Sequence, residues 1–252
     1  MTTSSPSFGF STAKMLLTSG EMHVWLASLD QPASRLRNLE QALSSEEWRR
    51  SERFRLERDR NRFLVRRGVL RGILGFYLAT GPERLRLHAG ENGRPAVLDP
   101  SGRNRIEFSI SHSAGLALLA FSKDREVGID IERVRDIAEM DLIGQQCFSS
   151  KENELMRSAP QDQKREVFFA AWTCREAFLK ALGYGLSRPM EQIEVLPVAG
   201  ERFKSLRIGL DSGKASLWTV GRLDPAPGFA AAFCAEGGSA EVRFLRWPTD
   251  GP

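Results

Sequence analysis

Cysteine and histidine are scarce in this chain, and the scarcity is informative. Its 252 residues hold three cysteines (Cys147, Cys174 and Cys234) and three histidines, with no CxxC pair and no Cys/His cluster. That argues against a disulfide framework and a structural zinc site, and a reducing, cytoplasmic setting is the expectation. Long apolar runs are also missing. The stretches Leu116–Phe121 and Phe229–Ala235 stop far short of the about 20 residues that span a bilayer, so no membrane partner is expected. The opening MTTSSPSFGFSTAKMLL lacks a charged segment followed by an apolar core, and no secretory signal is read there. Neither GxxxxGK[ST], GxGxxG nor GxSxG occurs, which removes the motif signals for P-loop, dinucleotide-binding and α/β-hydrolase sites.

What is present reads as an ordinary globular protein with a sizeable core: 41% hydrophobic and 27% charged residues. The net charge of +4 is unevenly placed. Between Arg35 and Arg71 stand twelve arginines against six acids, a local +6 that leaves about −2 for the rest. An anionic partner is expected to meet that segment.

Residues 1–20 are polar and without period, and read as a loose tail. Met22–Leu29 has the pattern of a first strand. Ser44 with Glu47 forms a capping box ahead of a helical pattern carrying Trp48, Phe54, Phe63, Leu70, Ile73, Leu74 and Tyr77, stopped by Thr80-Gly81-Pro82. A break near Leu56–Arg60 is expected within it. Ile106–Ser113 alternates strictly, with Ile106, Phe108, Ile110 and His112 on one face and Ser109, Ser111 and Ser113 on the other. Strands follow at Leu116–Phe121 and Val127–Glu132. Ser149 with Glu152 opens a further helix, a long helix spans about Arg165–Leu182 with Gly183 as its cap, and strands are predicted at Ile193–Val198, Ser216–Val220 and Phe229–Ala235. Helices and strands alternate in blocks twice over. The fold class is α+β, in two α/β halves with expected bounds 21–123 and 124–252.

Three groups could carry chemistry. Asp130 and Glu132 in Gly128-Ile129-Asp130-Ile131-Glu132 share one strand face while Val127, Ile129 and Ile131 face the core. Two carboxylates beside a glycine suit a hard divalent cation such as Mg²⁺, although spacing alone favours a solvated strand face. Glu176 and Lys180 lie one helical turn apart at the edge of the stripe Phe168, Ala171, Trp172, Phe178, Leu179 and Leu182; alone they read as an ordinary surface pair. His112, in the apolar phase of its strand, reads alone as a core residue.

Taken in order, FSISHS (Phe108–Ser113), VGIDIE (Val127–Glu132) and WTCREAFLKALGYGLSRP (Trp172–Pro189) resemble the Sfp-type 4′-phosphopantetheinyl transferases. NGRP (Asn92–Pro95) and the upstream LSSEEWRRSERF segment support the resemblance, which covers roughly Trp25–Cys234. It implies a pseudo-dimer of two similar α/β subdomains in one chain, acting as a monomer. The implied reaction moves the phosphopantetheine arm of coenzyme A to a serine of an apo acyl or peptidyl carrier protein, with Mg²⁺, releasing 3′,5′-ADP. By position, Asp130, Glu132 and Glu176 match the family's metal carboxylates, and Glu176 the general base. Lys180 matches the residue that steadies the leaving phosphate. Ser111, His112, Arg50 and Arg67 match contacts to coenzyme A, with Arg94 and Pro95 beside the adenine.

Three positions depart from the family pattern: Arg175 stands where lysine is usual, Arg94 replaces the common lysine of its turn, and Glu47 falls near a position often basic, so that one phosphate contact is expected to be missing. Other readings predict other behaviour. A polyanion-binding module built on the +6 segment, with nucleic acid as its extreme case, needs aromatics on an exposed basic face; Trp48, Phe54 and Phe63 fit a core stripe better, and no nucleic-acid partner is expected. A metal-dependent phosphodiesterase would use the same three carboxylates to hydrolyse coenzyme A without a carrier. A catalytically inactive relative would bind coenzyme A only.

Overall fold

A capping box starts one short helix in each half. In the computed structural model, which describes residues 16–90, 95–98, 105–183, 193–196, 203–209, 215–238 and 241–247, Ser44 accepts the Glu47 N–H while the Glu47 side chain accepts the Ser44 N–H, and Ser149 and Glu152 do the same. The first half runs β1 (Glu21–Ser28), α1 (Ala33–Glu40), α2 (Ser45–Ser51), α3 (Glu57–Tyr77), β2 (Arg86–Ala89), β3 (Pro95–Leu98), β4 (Ile106–Ser113) and β5 (Leu116–Lys123). Then come β6 (Val127–Arg133), α4 (Met140–Cys147), α5 (Ser150–Ser158), α6 (Lys164–Leu182), β7 (Phe203–Gly209), β8 (Ala215–Leu223), β9 (Phe229–Glu236) and β10 (Glu241–Trp247). Gly183, at φ 73°, takes the left-handed conformation that ends α6.

Two four-stranded sheets result, ordered β10-β1-β5-β4 and β6-β9-β8-β7, with β2 and β3 as a separate ribbon. Their strands alternate between two apolar layers. Met22, Val24 and Leu26 of β1 and Leu118 and Ala120 of β5 meet Val127, Ile129, Ile131, Ala231 and Phe233 of the second sheet. The other faces of β1 and β5 pack Trp25, Leu119 and Phe121 against Val69, Leu70 and Ile73 of α3. On the far side, α6 lays Cys174, Ala177 and Phe178 on Val220, Ala232 and Cys234. Each half is thus a sheet with one long helix on its outer face, and the inner faces form a shared core. Strands buried on both faces explain the near-continuous apolar runs at β1, β5 and β9.

Several expectations need correction. The last strand, β10, lies at the edge of the first sheet, parallel to β1 and paired Glu21 with Glu241 through Ala27 with Trp247. Residues 241–247 therefore belong structurally with the first half, not the second. Ile193–Leu196 are not a strand, and residues 197 and 198 lie outside the described residues. Of the expected tail, residues 1–15 lie outside the described residues, whereas Leu17 is buried in the first core and Ser19 pairs with Lys123. The helical break falls just before Glu57, between α2 and α3.

One buried polar network makes the first half acid-sensitive. Trp25 Nε1 donates to the Tyr77 hydroxyl (2.9 Å), which sits 2.7 Å from Nδ1 of the fully buried His23. Burial, helped by Arg243 and opposed by Glu21, pushes the His23 pKa down to about 4. The unfolded ring titrates near 6.5, so the folded state binds fewer protons between these values. Stability from this source is full above pH 6.5 and is lost as pH falls toward 4, at up to about 1.4 kcal/mol per pH unit. Urea midpoints at pH 7 and pH 5 check this: the parent is expected to lose more between them than His23→Gln does.

Candidate active site

The two sheets present edge strands to each other, β4 from the first and β6 from the second. On β6 the period of two sends Val127, Ile129 and Ile131 into the shared core and Gly128, Asp130 and Glu132 toward α6. Gly128 lets the helix come close: an added Cβ would lie 1.8 Å from the Ala177 carbonyl oxygen and 2.6 Å from the Ala181 nitrogen. This approach brings Glu176 and Lys180, the residues just before those two alanines, over Asp130.

Asp130 is buried. Its Oδ1 accepts from Lys180 Nζ at 2.6 Å and from Ser111 Oγ at 2.7 Å, and Lys180 Nζ also lies 3.3 Å from the Ile129 carbonyl oxygen. The Oδ2 atom is buried with no hydrogen-bond partner among the described residues. Glu132, half-buried, accepts from Ser113 Oγ at 2.8 Å. Burial raises the Glu176 pKa, and the charges of Asp130 and Glu132 raise it further against the pull of Lys180. Glu132 is raised too, by burial first and by Asp130, against Ser113, Arg135 and Lys180. The three carboxylates are therefore close enough to repel one another. Among the described residues no three His, Cys, Asp or Glu side chains are gathered as a closed ligand set; the Lys180 ammonium sits on Asp130 instead. The donor chemistry still fits a hard divalent cation, since a buried carboxylate oxygen without a partner among the described residues and two neighbouring carboxylates with raised pKa values all favour added positive charge.

A cationic cluster lies on the first half. Phe63 of α3 carries the guanidinium groups of Arg50 and Arg66, each 5.7 Å from its ring centroid. Nη1 of Arg66 stands 2.9 Å from Nδ1 and 2.5 Å from Nε2 of His112. Burial and the neighbouring charges of Arg67 and Arg50 push Arg66 down to a pKa of about 10. Desolvation, with Arg66 and Lys180 beside it, holds His112 at about 4, so its ring is neutral at pH 7. The influence of Lys180 on His112 as well as on Glu176 and Glu132 ties the cationic cluster to the carboxylates. A pocket of about 300 Å³ opens beside the cluster, lined by Arg50, Phe63, Arg67, His88 and Pro95 among others.

The positions expected from sequence divide accordingly. Asp130, Glu132, Glu176 and Lys180 come together. Arg50, Arg67 and Pro95 line one pocket, and Arg94 lies outside the described residues. His112, at the end of β4, has its ring held against the Arg66 guanidinium on one side and open to solvent on the other, and it is not a core residue. Ser111 points its buried hydroxyl at Asp130. Arg67 is ion-paired with Glu47, which also binds Arg71. Glu47 is thus the anchor of two arginines: burial works against its charge, but Arg67, the Ser44 N–H and Arg71 hold its carboxyl below the usual range. Arg175 reaches Glu152 at 2.6 Å and the Ile193 carbonyl at 3.1 Å and is almost fully buried; its role here is to fasten residues 193–196 to α6. Sequence reasoning missed Arg66, because adjacent residues of a helix sit about 100° apart and composition does not say which faces His112.

Comparison with known proteins matches the chain in two consecutive regions. Residues 30–124 match the family described as 4′-phosphopantetheinyl transferase, N-terminal, and residues 126–234 match the 4′-phosphopantetheinyl transferase superfamily. The chain is 36% identical to 4′-phosphopantetheinyl transferase HetI of Nostoc sp. (strain PCC 7120 / SAG 25.82 / UTEX 2576), over 92% of this chain and 95% of that protein. The chain belongs to the 4′-phosphopantetheinyl transferase family. It is an enzyme of that class, and its two matched regions correspond to the two α/β halves. It is also 27% identical to 4′-phosphopantetheinyl transferase Sfp of Bacillus subtilis (strain 168), over 69% of this chain and 76% of that protein, and 33% identical to psf-1 of Bacillus pumilus, over 65% and 69%. As a phosphopantetheinyl transferase, it takes coenzyme A as the donor and a carrier protein as the acceptor.

Proposed function

We propose that this chain transfers the phosphopantetheinyl group of coenzyme A to a serine hydroxyl of an apo acyl or peptidyl carrier protein, in a Mg²⁺-dependent reaction that releases 3′,5′-ADP. The observation that carries this reading is Lys180, which bonds Asp130 of the carboxylate group at 2.6 Å and whose charge also bears on His112 beside the cationic cluster. An anionic substrate held by the cluster reaches the carboxylates without leaving the field of that lysine.

Asp130, Glu132 and Glu176 would hold the Mg²⁺, which when bound neutralises charge on the pyrophosphate as the bond breaks. Arg50 and Arg66 offer guanidinium groups to the 3′-phosphate, with His112 beside them. Arg67 and Pro95 line the pocket proposed for the adenosine end. Glu176 accepts the proton of the acceptor serine, directly or through a water. Lys180 then steadies the departing phosphate. The enzyme acts as a monomer, since both halves of the site come from one chain. No described helix is long and apolar enough to cross a membrane, and the three unpaired cysteines suit a cytoplasmic location.

Intact-mass spectrometry of an apo carrier protein incubated with the enzyme, coenzyme A and Mg²⁺ tests the reading, with an EDTA control. A gain of one phosphopantetheinyl group that disappears with EDTA supports it. Hydrolysis of coenzyme A without a carrier would favour a phosphodiesterase instead. Binding of coenzyme A with no product on fatty-acid, polyketide or peptide-synthetase carriers would indicate an inactive relative.

The cationic cluster makes a separate prediction. Loss of a charge-assisted hydrogen bond costs about 1.5–3 kcal/mol, so Arg66→Ala is expected to raise the KM for coenzyme A by roughly 10- to 100-fold and to change kcat little. His112→Ala should act in the same sense but more weakly. Steady-state kinetics separates the two parameters; a fall in kcat at constant KM would remove the cluster from substrate binding.

A further inference from the structure

The seam between the two sheets has an unusual chemistry. An edge strand presents backbone N–H groups that need acceptors. On β6, the Ile129 N–H donates to Ser109 Oγ at 3.2 Å and the Arg133 N–H donates to Ser113 Oγ at 3.1 Å. Serine hydroxyls of β4 thus take the place of a neighbouring strand's carbonyls. Partner numbers rise together, so the two edges run parallel, and every second residue of β4 reaches β6.

A hydroxyl that has accepted an N–H still has a proton to give. Ser113 gives it to Glu132 Oε2 at 2.8 Å. Its oxygen is therefore held from both sides, by a backbone N–H and by a carboxylate. The turn that follows is fixed as well. Ala114 and Gly115 both take positive φ (44° and 94°), the conformation of a tight two-residue hairpin. The Leu29 N–H donates to the Gly115 carbonyl at 2.8 Å, and Asp30, paired with Arg62, closes over Gly115. The first half of the chain thereby dictates where a carboxylate of the second half lies.

We infer that Ser113 is a positioning residue for the carboxylate centre, orienting Glu132 so that its remaining oxygen lone pairs are available to a divalent cation. Glutamate otherwise loses up to about 2 kcal/mol of rotamer freedom when it is immobilised, and a bond already made in the free enzyme removes part of that loss. Ser109, on the same strand and in the same seam, takes a backbone N–H and, among the described residues, gives no bond to a carboxylate. It is the natural control.

The inference rests on the proposal that Asp130, Glu132 and Glu176 hold a divalent cation, and the test distinguishes the two. Mn²⁺ is titrated into the full chain without coenzyme A or carrier, and free Mn²⁺ is read by electron paramagnetic resonance. Outer-shell partners of metal ligands typically contribute 10- to 100-fold in affinity, so Ser113→Ala is expected to weaken Mn²⁺ binding about tenfold or more. Ser113→Thr, which keeps the hydroxyl, should restore most of the loss. Ser109→Ala should lower the thermal midpoint and leave the Mn²⁺ affinity unchanged. Parent-like affinity in Ser113→Ala, or an equal loss in Ser109→Ala, would overturn the positioning role while the carboxylate reading stands. Absence of Mn²⁺ binding by the parent would overturn both.

Discussion

Gly128→Ala is expected to lower the thermal midpoint by roughly 6–12 °C and to remove most of the activity. The added Cβ would come within 1.8 Å of the Ala177 carbonyl oxygen and 2.6 Å of the Ala181 nitrogen. Both are main-chain atoms of α6, so no side chain can rotate away, and the helix must shift by on the order of 1 Å. Overpacking of this kind costs about 3 kcal/mol or more when backbone has to yield, and about 2–4 °C is lost per kcal/mol in a chain of this size. The same shift moves Glu176 and Lys180 away from Asp130, and a misplacement near 1 Å lowers rates by about 100-fold. Thermal unfolding followed by circular dichroism, together with the carrier-protein mass assay, checks both parts. A variant that melts with the parent and retains full activity would show that α6 is not seated on Gly128 as described.

Gly128 also shows why part of this site could be read from sequence. A glycine two residues before one carboxylate and four before another announces a close approach, and the period of two places both acids on one face. The two capping boxes were equally legible, because their partners lie three residues apart. Features that depend on distant partners were not. The strand β10 carries Arg243 and Arg246 among its apolar residues and pairs with β1 more than two hundred residues away, so nothing local marks its sheet. Helices α1 and α4 are one pair of turns each and leave little periodicity to detect. His112 shares a face with Ile106 and Phe108, but alternation does not say where the edge of a sheet ends and solvent begins. Ser111 and Ser113 read as the polar side of a strand. Their bonds to Asp130 and Glu132 arise only when two edge strands meet.

Glu176→Gln is expected to reduce kcat by about 100- to 10,000-fold, the range that a positioned general base contributes, while the thermal midpoint stays level or rises. The rise follows from the sign of the pKa shift. Burial, Asp130 and Glu132 raise the Glu176 pKa in the folded state, so ionised Glu176 opposes folding at neutral pH. Glutamine has nearly the same shape and no charge, and the replacement relieves that repulsion. It leaves Lys180 bound to Asp130, the residue it already contacts. Few structural residues behave this way, since removing a group that stabilises the fold lowers stability and activity together. The pairing of collapsed turnover with undiminished stability is the mark of a residue retained for chemistry. Carrier-protein modification timed by mass spectrometry and a thermal melt of the enzyme alone, free of metal and coenzyme A, measure both. Near-parental turnover would remove Glu176 from the reaction, and a joint loss of turnover and stability would make it a structural residue.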